Sequence, residues 1–207
     1  MTISFLIRLT CISLSSCQEV PFEFDCRHHA TAREYIYRVA IPKLDADLSN
    51  GPEALYPISE LYRAAYLTKP ERLAFDINLA NDACNQLKGR HDYSSFCLDN
   101  ELSKVRTVDE FEVTKLDLST HVEFDENYKN IELFEFYIRG RSFLCNQISK
   151  MVSAVTAIAT HQEPTTFVDH LMREPSHLKW KEEYFVMPTH GQYLIGVHYE
   201  DKGKLLN

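Results

Sequence analysis

Apolar residues recur at every second position through Tyr35, Tyr37, Val39 and Ile41, with Ile36, Arg38 and Ala40 between them. That alternation predicts a β-strand, ended by Pro42. From Leu44 to Ile58 the chain turns rich in Asp, Pro and Gly, the composition of a surface loop. Beyond Pro70 the period lengthens: Leu73, Ile77, Ala80, Cys84 and Leu87 recur at helical spacing, and Gly89 sits where a C-terminal cap belongs. Period two returns over 105–118 and again over 131–139. In the latter, Phe134, Phe136 and Ile138 face one way and Glu135, Tyr137 and Arg139 the other. An acidic loop with Glu123, Asp125 and Glu126 joins these strands. A second helix is expected from the stripe Ile148, Met151, Val152, Val155 and Ile158, then a short helix around Asp169 and a last strand over Gln192–Tyr199.

The sum is β-α-β-β-α-β over about 33–200, the split βαβ or ferredoxin-like arrangement. An α+β fold is therefore expected, a mainly antiparallel sheet with helices on one face. The division is 1–30 as a strand and connection outside that unit, 31–200 as the α/β domain and 201–207 as a tail. The opening stretch Met1–Cys17 resembles a signal peptide weakly, but Arg8 interrupts it and no basic residue precedes it, so a short strand is expected there. No run approaches the roughly 20 apolar residues that span a bilayer, and no membrane association is expected.

Composition narrows the function classes. The 207 residues are 44% hydrophobic, 25% charged and 12% aromatic, which excludes collagen-like and wholly disordered chains. Lys plus Arg number 22 against 30 Asp plus Glu, a formal charge of −8. Net charge thus argues against indiscriminate nucleic-acid binding but leaves room for a local basic groove. The six cysteines form no Cys-x-x-Cys pair and match no zinc spacing, so reduced thiols in a reducing compartment are expected.

Four clusters carry candidate chemistry: Arg27–Tyr37, Gly89–Phe96, Gly140–Met151 and Met187–Leu194. Singly, each has a plain structural reading. Asp92, adjacent to His91, suits a turn cap better than an acid–base pair. His28-His29 lacks metal-ligand partners at suitable spacing. Tyr35 and Tyr37 share a strand face, as a core or cross-strand pair would.

Taken together and in order, the clusters resemble the TruA-like tRNA pseudouridine synthases, in particular the eukaryotic pseudouridine-synthase-like branch. The family pattern Phe-x-Ala-Arg then Ala-x-x-Arg-x-Tyr-x-Tyr is matched by Phe24-Asp25-Cys26-Arg27 and Ala30-Thr31-Ala32-Arg33-Glu34-Tyr35-Ile36-Tyr37. Gly-x-His-Asp-Phe-x-x-Phe is matched by Gly89–Phe96 with Tyr93 for Phe, and an Arg-x-Ile-like element by Arg106-Thr107-Val108. Gly140–Met151 stands for the Gly-x-x-Phe-Leu helix entry, and Pro188–Leu194 for Pro-x-x-Gly-Leu-x-Leu, with Gln192 for Leu. The resemblance covers about 20–200. It implies isomerisation of uridine to pseudouridine in tRNA without metal or organic cofactor, with Tyr35 as the ring that stacks on a flipped uracil and Tyr37 in the core. It further implies tRNA as partner, a possible homodimer, and an intracellular location, cytoplasmic or mitochondrial. RNA contacts are expected from Arg27, Arg33, Arg90, Arg106, Arg139, Arg141 and Lys150.

Two departures bear on catalysis. The family's catalytic aspartate lies in a Gly-Arg-Thr-Asp-Ala-Gly-Val-His motif ahead of the Phe-x-Ala-Arg segment, and no such motif occurs here. Asp25 stands where the family has histidine, and Asp92 has its own matched position, so neither replaces it. The arginine expected to pair with that aspartate is Ser149, and neighbouring Lys150 is turned about 100° away around the helix. The chain is thus expected to be inactive alone, as a truncated family member. The alternatives are a non-catalytic RNA-binding or interaction protein from that family, and a fragment that fails to fold alone, whose unpaired apolar edge strand near 5–14 is then an association hazard.

Overall fold

The computed structural model describes residues 20–43, 46, 56–67, 74–97, 103–181 and 184–199. The expected strand near 5–14, residues 70–73 of the expected first helix and the tail 201–207 lie outside them, while residues 74–76 are not helical and the helix begins later than Pro70. Strand β1 (Ala30–Pro42) is longer than its alternation suggested. A two-residue strand, β2 (Ala65–Tyr66), follows, then helix α1 (Ile77–Gln86), β3 (Gly89–Asp92), β4 (Val105–Lys115), β5 (Ile131–Gly140), helices α2 (Gln147–Ala159) and α3 (Phe167–Arg173), and β6 (Gln192–Tyr199). The described residues form an α+β fold with a six-stranded, mostly antiparallel sheet in the order β2-β1-β5-β4-β3, β6 also pairing with β1. Along one edge of β1, β6 lies beside Ala30–Tyr37 and β2, in parallel, beside Val39 and Ala40.

Local chemistry accounts for the boundaries. Asp76 accepts hydrogen bonds from the Asn78 and Leu79 amides, so α1 begins at Ile77. The helix closes on Leu87, and Gly89, at φ +98°, turns the chain into β3 instead of capping the helix. Strands β2 and β3 are too short to carry a period-two signal. Alternation otherwise predicted the faces well. Val39, Phe134, Phe136 and Ile138 join α1 and α2 in the main core, while Ala40, Ile131 and Leu133 turn to the other face, under Tyr56, Ala64 and Tyr128. α2 is buried almost all round, including Gln147, Ser149 and Lys150. Among the described residues no helix is long and apolar enough to cross a membrane.

Candidate RNA-facing site

Register places the basic residues. Arg33 on β1 pairs with Gly140 on β5, Gly140 with Val108 on β4, and Val108 with Gly89 on β3. These positions form one row across the sheet, about 14 Å from β1 to β3 at about 4.8 Å per strand. Arg90 pairs with Thr107 and Arg106 with His91 just beyond it. One end of the sheet therefore gathers Arg33, Arg90, Arg106, Arg139 and Arg141, although the chain carries them far apart.

The arginines differ in what they do there. Arg33 is a clip: Nη1 donates to the Arg141 carbonyl (2.5 Å) and Nη2 to the Arg27 carbonyl (2.9 Å), tying two turns to β1. Arg106 donates to the carbonyls of Ser103 and Val105. Arg139 lies on the helix-free face with Glu110 at 3.0 Å and Glu34 at 3.7 Å, and Glu110 holds its guanidinium even more firmly protonated than usual. Arg27, Arg90 and Arg141 are exposed. Lys150 is not at the surface: it is 6% exposed, its ammonium donates to the Cys97 carbonyl at 3.3 Å and lies 5.1 Å from the centre of the Trp180 ring. Burial pushes its pKa down. The expected RNA contact there is corrected: the helical turn that carries Lys150 past Ser149 aims it into the core.

Tyr35 sits on the helix-bearing face of this end. It pairs with Ile138 on one side and Leu194 on the other, and its half-buried ring meets Phe143 edge-on, centroids 5.4 Å apart at 89°. Leu194 is 54% exposed, so the strip beside Tyr35 is open to solvent along β6. Two residues on, Tyr37 is fully buried and donates to the Pro188 carbonyl, while burial raises its pKa. Leu194 escaped notice as a neighbour of Tyr35 because cross-strand register is not visible from one strand alone.

The carboxylates near this end are otherwise engaged. Glu34 points to the opposite face, 2.7 Å from His198 Nε2. Asp25 accepts from the backbone amides of Arg27 and His28, and chiefly the His28 amide holds its carboxyl well below the usual range. Asp92 caps the following turn through the Ser94 amide and hydroxyl, as expected. His29 Nδ1 accepts from the Asp25 amide, and His91 Nε2 meets the Lys88 carbonyl at 2.8 Å. Among the described residues no group of His, Cys, Asp and Glu could hold a metal ion. Ser149, which stands for the family's arginine, is 2% exposed, and its hydroxyl has no partner among the described residues.

One end of the split βαβ sheet thus carries Arg33, Arg90, Arg106 and Arg141 together with the half-buried ring of Tyr35. The model of a family described as tRNA pseudouridine synthase matches residues 83–200, more than half of the chain. The chain belongs to the tRNA pseudouridine synthase family. It is 28% identical over 193 residues to tRNA pseudouridine synthase A of Oenococcus oeni, covering 92% of this chain and 65% of the relative. Ligilactobacillus salivarius has a tRNA pseudouridine synthase A that is 28% identical over 192 residues, 92% of this chain and 63% of the relative. A tRNA pseudouridine synthase-like 1 of Xenopus laevis is 28% identical over 186 residues, 86% and 56%. The chain thus spans less than two thirds of the length of these relatives.

Proposed function

We propose that this chain is the tRNA-engaging part of a tRNA pseudouridine synthase, and that by itself it binds tRNA without isomerising uridine. The observation that carries the reading is the Tyr35 end of the sheet: a half-open ring braced edge-on by Phe143, beside exposed Leu194, and two residues along β1 from Arg33, which ties in the turns that carry exposed Arg27 and Arg141. A uracil must leave the RNA stack before its glycosidic bond can be exchanged, and a fixed ring offers it a face to stack on. Exposed arginines along the sheet end neutralise the phosphates on either side of the everted nucleotide. Breaking that bond also calls for a nucleophile or general base at the sugar. Glu34, next in the chain to Tyr35, is turned to the other face and held by His198 and Arg139, and Ser149 supplies no cation to orient a carboxylate. This favours binding without turnover. The same reading places the protein in a tRNA-containing compartment, cytoplasm or mitochondrion, with a homodimer as a further possible assembly.

The test pairs a tRNA titration with nucleoside analysis of the recovered RNA. Affinity should fall linearly on a log–log plot with salt, and no pseudouridine should form. Absence of binding would overturn the RNA reading. Pseudouridine formed at an ordinary enzyme rate would overturn the inactivity.

A further inference from the structure

The loop between β1 and α1, residues 57–64, is held from several directions. Tyr66 donates to the Glu60 carbonyl, and Tyr128 donates to Glu60 Oε1 at 2.9 Å. Ser59 meets the Tyr128 hydroxyl at 2.9 Å, and the Ile58 amide donates to Asp125 Oδ2 at 3.2 Å. His190 Nε2 lies 3.0 Å from the Ala64 carbonyl, and Tyr193 donates to the Arg63 carbonyl at 2.8 Å. Glu60 itself is only 7% exposed. So firm a frame would ordinarily pack its side chains inward. Instead Tyr62 is 82% exposed, and its backbone is at φ +60°, a conformation that bulky residues rarely adopt and that costs on its own. The surrounding bonds over-determine the loop and keep the ring outside.

Around that loop lie further aromatic and basic groups. His190 stands edge-on to Tyr62, centroids 6.4 Å apart at 77°. Arg63 is exposed, and the guanidinium of Arg38 lies 5.8 Å from the centre of the Tyr193 ring. Two arginines, Arg38 and Arg63, thus accompany three aromatic rings, Tyr62, His190 and Tyr193, at this loop. Ion pairing takes part of the Arg38 charge, through Glu135 at 3.0 Å, and leaves its face on Tyr193.

We propose that Tyr62 is a second stacking station for an unpaired RNA base, with Arg63 receiving the adjoining phosphate. It belongs to the edge formed by β2 and β6, where the loop packs on the face opposite the Tyr35 ring, so an RNA seated on Tyr35 reaches it by passing around that edge. This rests on the tRNA reading above and adds a contact to it. A π-face accepts any base, so the contact contributes affinity with little sequence preference.

The experiment compares the full chain with Tyr62→Asn, Tyr62→Phe and Arg63→Ala by fluorescence anisotropy on labelled tRNA, with melting and sedimentation of each protein. Asn tolerates positive φ better than Tyr, so Tyr62→Asn removes the ring while relaxing the backbone. Its melting temperature should hold or rise while affinity falls roughly five- to a hundredfold. Tyr62→Phe should bind as wild type. Arg63→Ala should reduce the salt slope by roughly 0.7–0.9. If wild type binds tRNA and Tyr62→Asn binds equally well, the second station is overturned and the Tyr35 reading stands. If Tyr62→Asn leaves RNA binding alone and abolishes a dimer, the patch is a protein contact and the proposal is again overturned. Failure of wild type to bind tRNA overturns both.

Discussion

Gly140 offers the sharpest physical test of how the Tyr35 end is built. It closes β5 between Arg33 on one side and Val108 on the other. A methyl group in its place would sit 2.6 Å from the Thr107 carbonyl oxygen and 3.1 Å from Cζ of Phe143. The first contact is with backbone, at Thr107 where β4 pairs regularly with Arg90, and cannot be relieved by a rotamer change. The second pushes on the ring that braces Tyr35. Overpacking of this kind costs about 1–3 kcal/mol. For a chain of this size each kcal/mol lowers Tm by about 2–4 °C, so Gly140→Ala should melt about 2–12 °C below wild type. Gly196→Ala is the comparison: its new methyl meets Glu34 Oε2 at 3.0 Å, the far end of a side chain that can rotate at the expense of its exposed pairs with His198 and Arg139, and should change stability by no more than about 1 kcal/mol. Thermal unfolding by circular dichroism reads both, and a tRNA titration reads the second effect, a weaker complex for Gly140→Ala alone. Equal melting and equal affinity for Gly140→Ala and wild type would refute the reasoning.

Two further expectations follow from buried titratable groups. Burial raises the phenol pKa of Tyr37, Tyr66 and Tyr93, and pushes Tyr56 up to about 12. Unfolded tyrosines lose their protons near pH ~10, so between about 10 and 12 the folded state binds more protons and stability falls as pH rises; a urea midpoint unchanged across that window would contradict it. Lys150 has the opposite sign, because its burial favours the neutral amine and its contribution improves as pH climbs toward its ordinary value. Lys150→Met keeps the volume and removes the desolvated charge, so stability should change by less than about 1.5 kcal/mol and the salt slope of tRNA binding not at all; a slope reduced by about 0.7–0.9 would return Lys150 to the RNA surface.

Alternation and helical spacing carried most of the fold. The two faces of β5 and the stripe of α2 were legible because each buries apolar groups at its own period, and a period survives in a single sequence. What was not legible depended on partners far along the chain. β2 has two residues and exists only because β1 offers an edge. The start of α1 was set by the Asp76 carboxylate, not by the apolar repeat. Within the site, Tyr35 could be nominated from its motif, but neither its contact with Phe143 nor which arginines stay free could. Arg33 and Arg106 spend donors on backbone carbonyls, Arg139 is paired on the far face, and Lys150 is turned under Trp180. Tyr62 had no periodic signal at all, since a strained loop residue is defined by the bonds around it.

The most direct test of the Tyr35 end as the place where RNA seats its nucleotide is ultraviolet crosslinking of tRNA to the full chain, with the adducts mapped by mass spectrometry. Crosslinks should concentrate in peptides carrying Arg33–Tyr37 and Gly140–Cys145, and Tyr35→Ala should deplete them while leaving the fold intact. Crosslinks confined to other surfaces, or a Tyr35→Ala pattern identical to wild type, would contradict it.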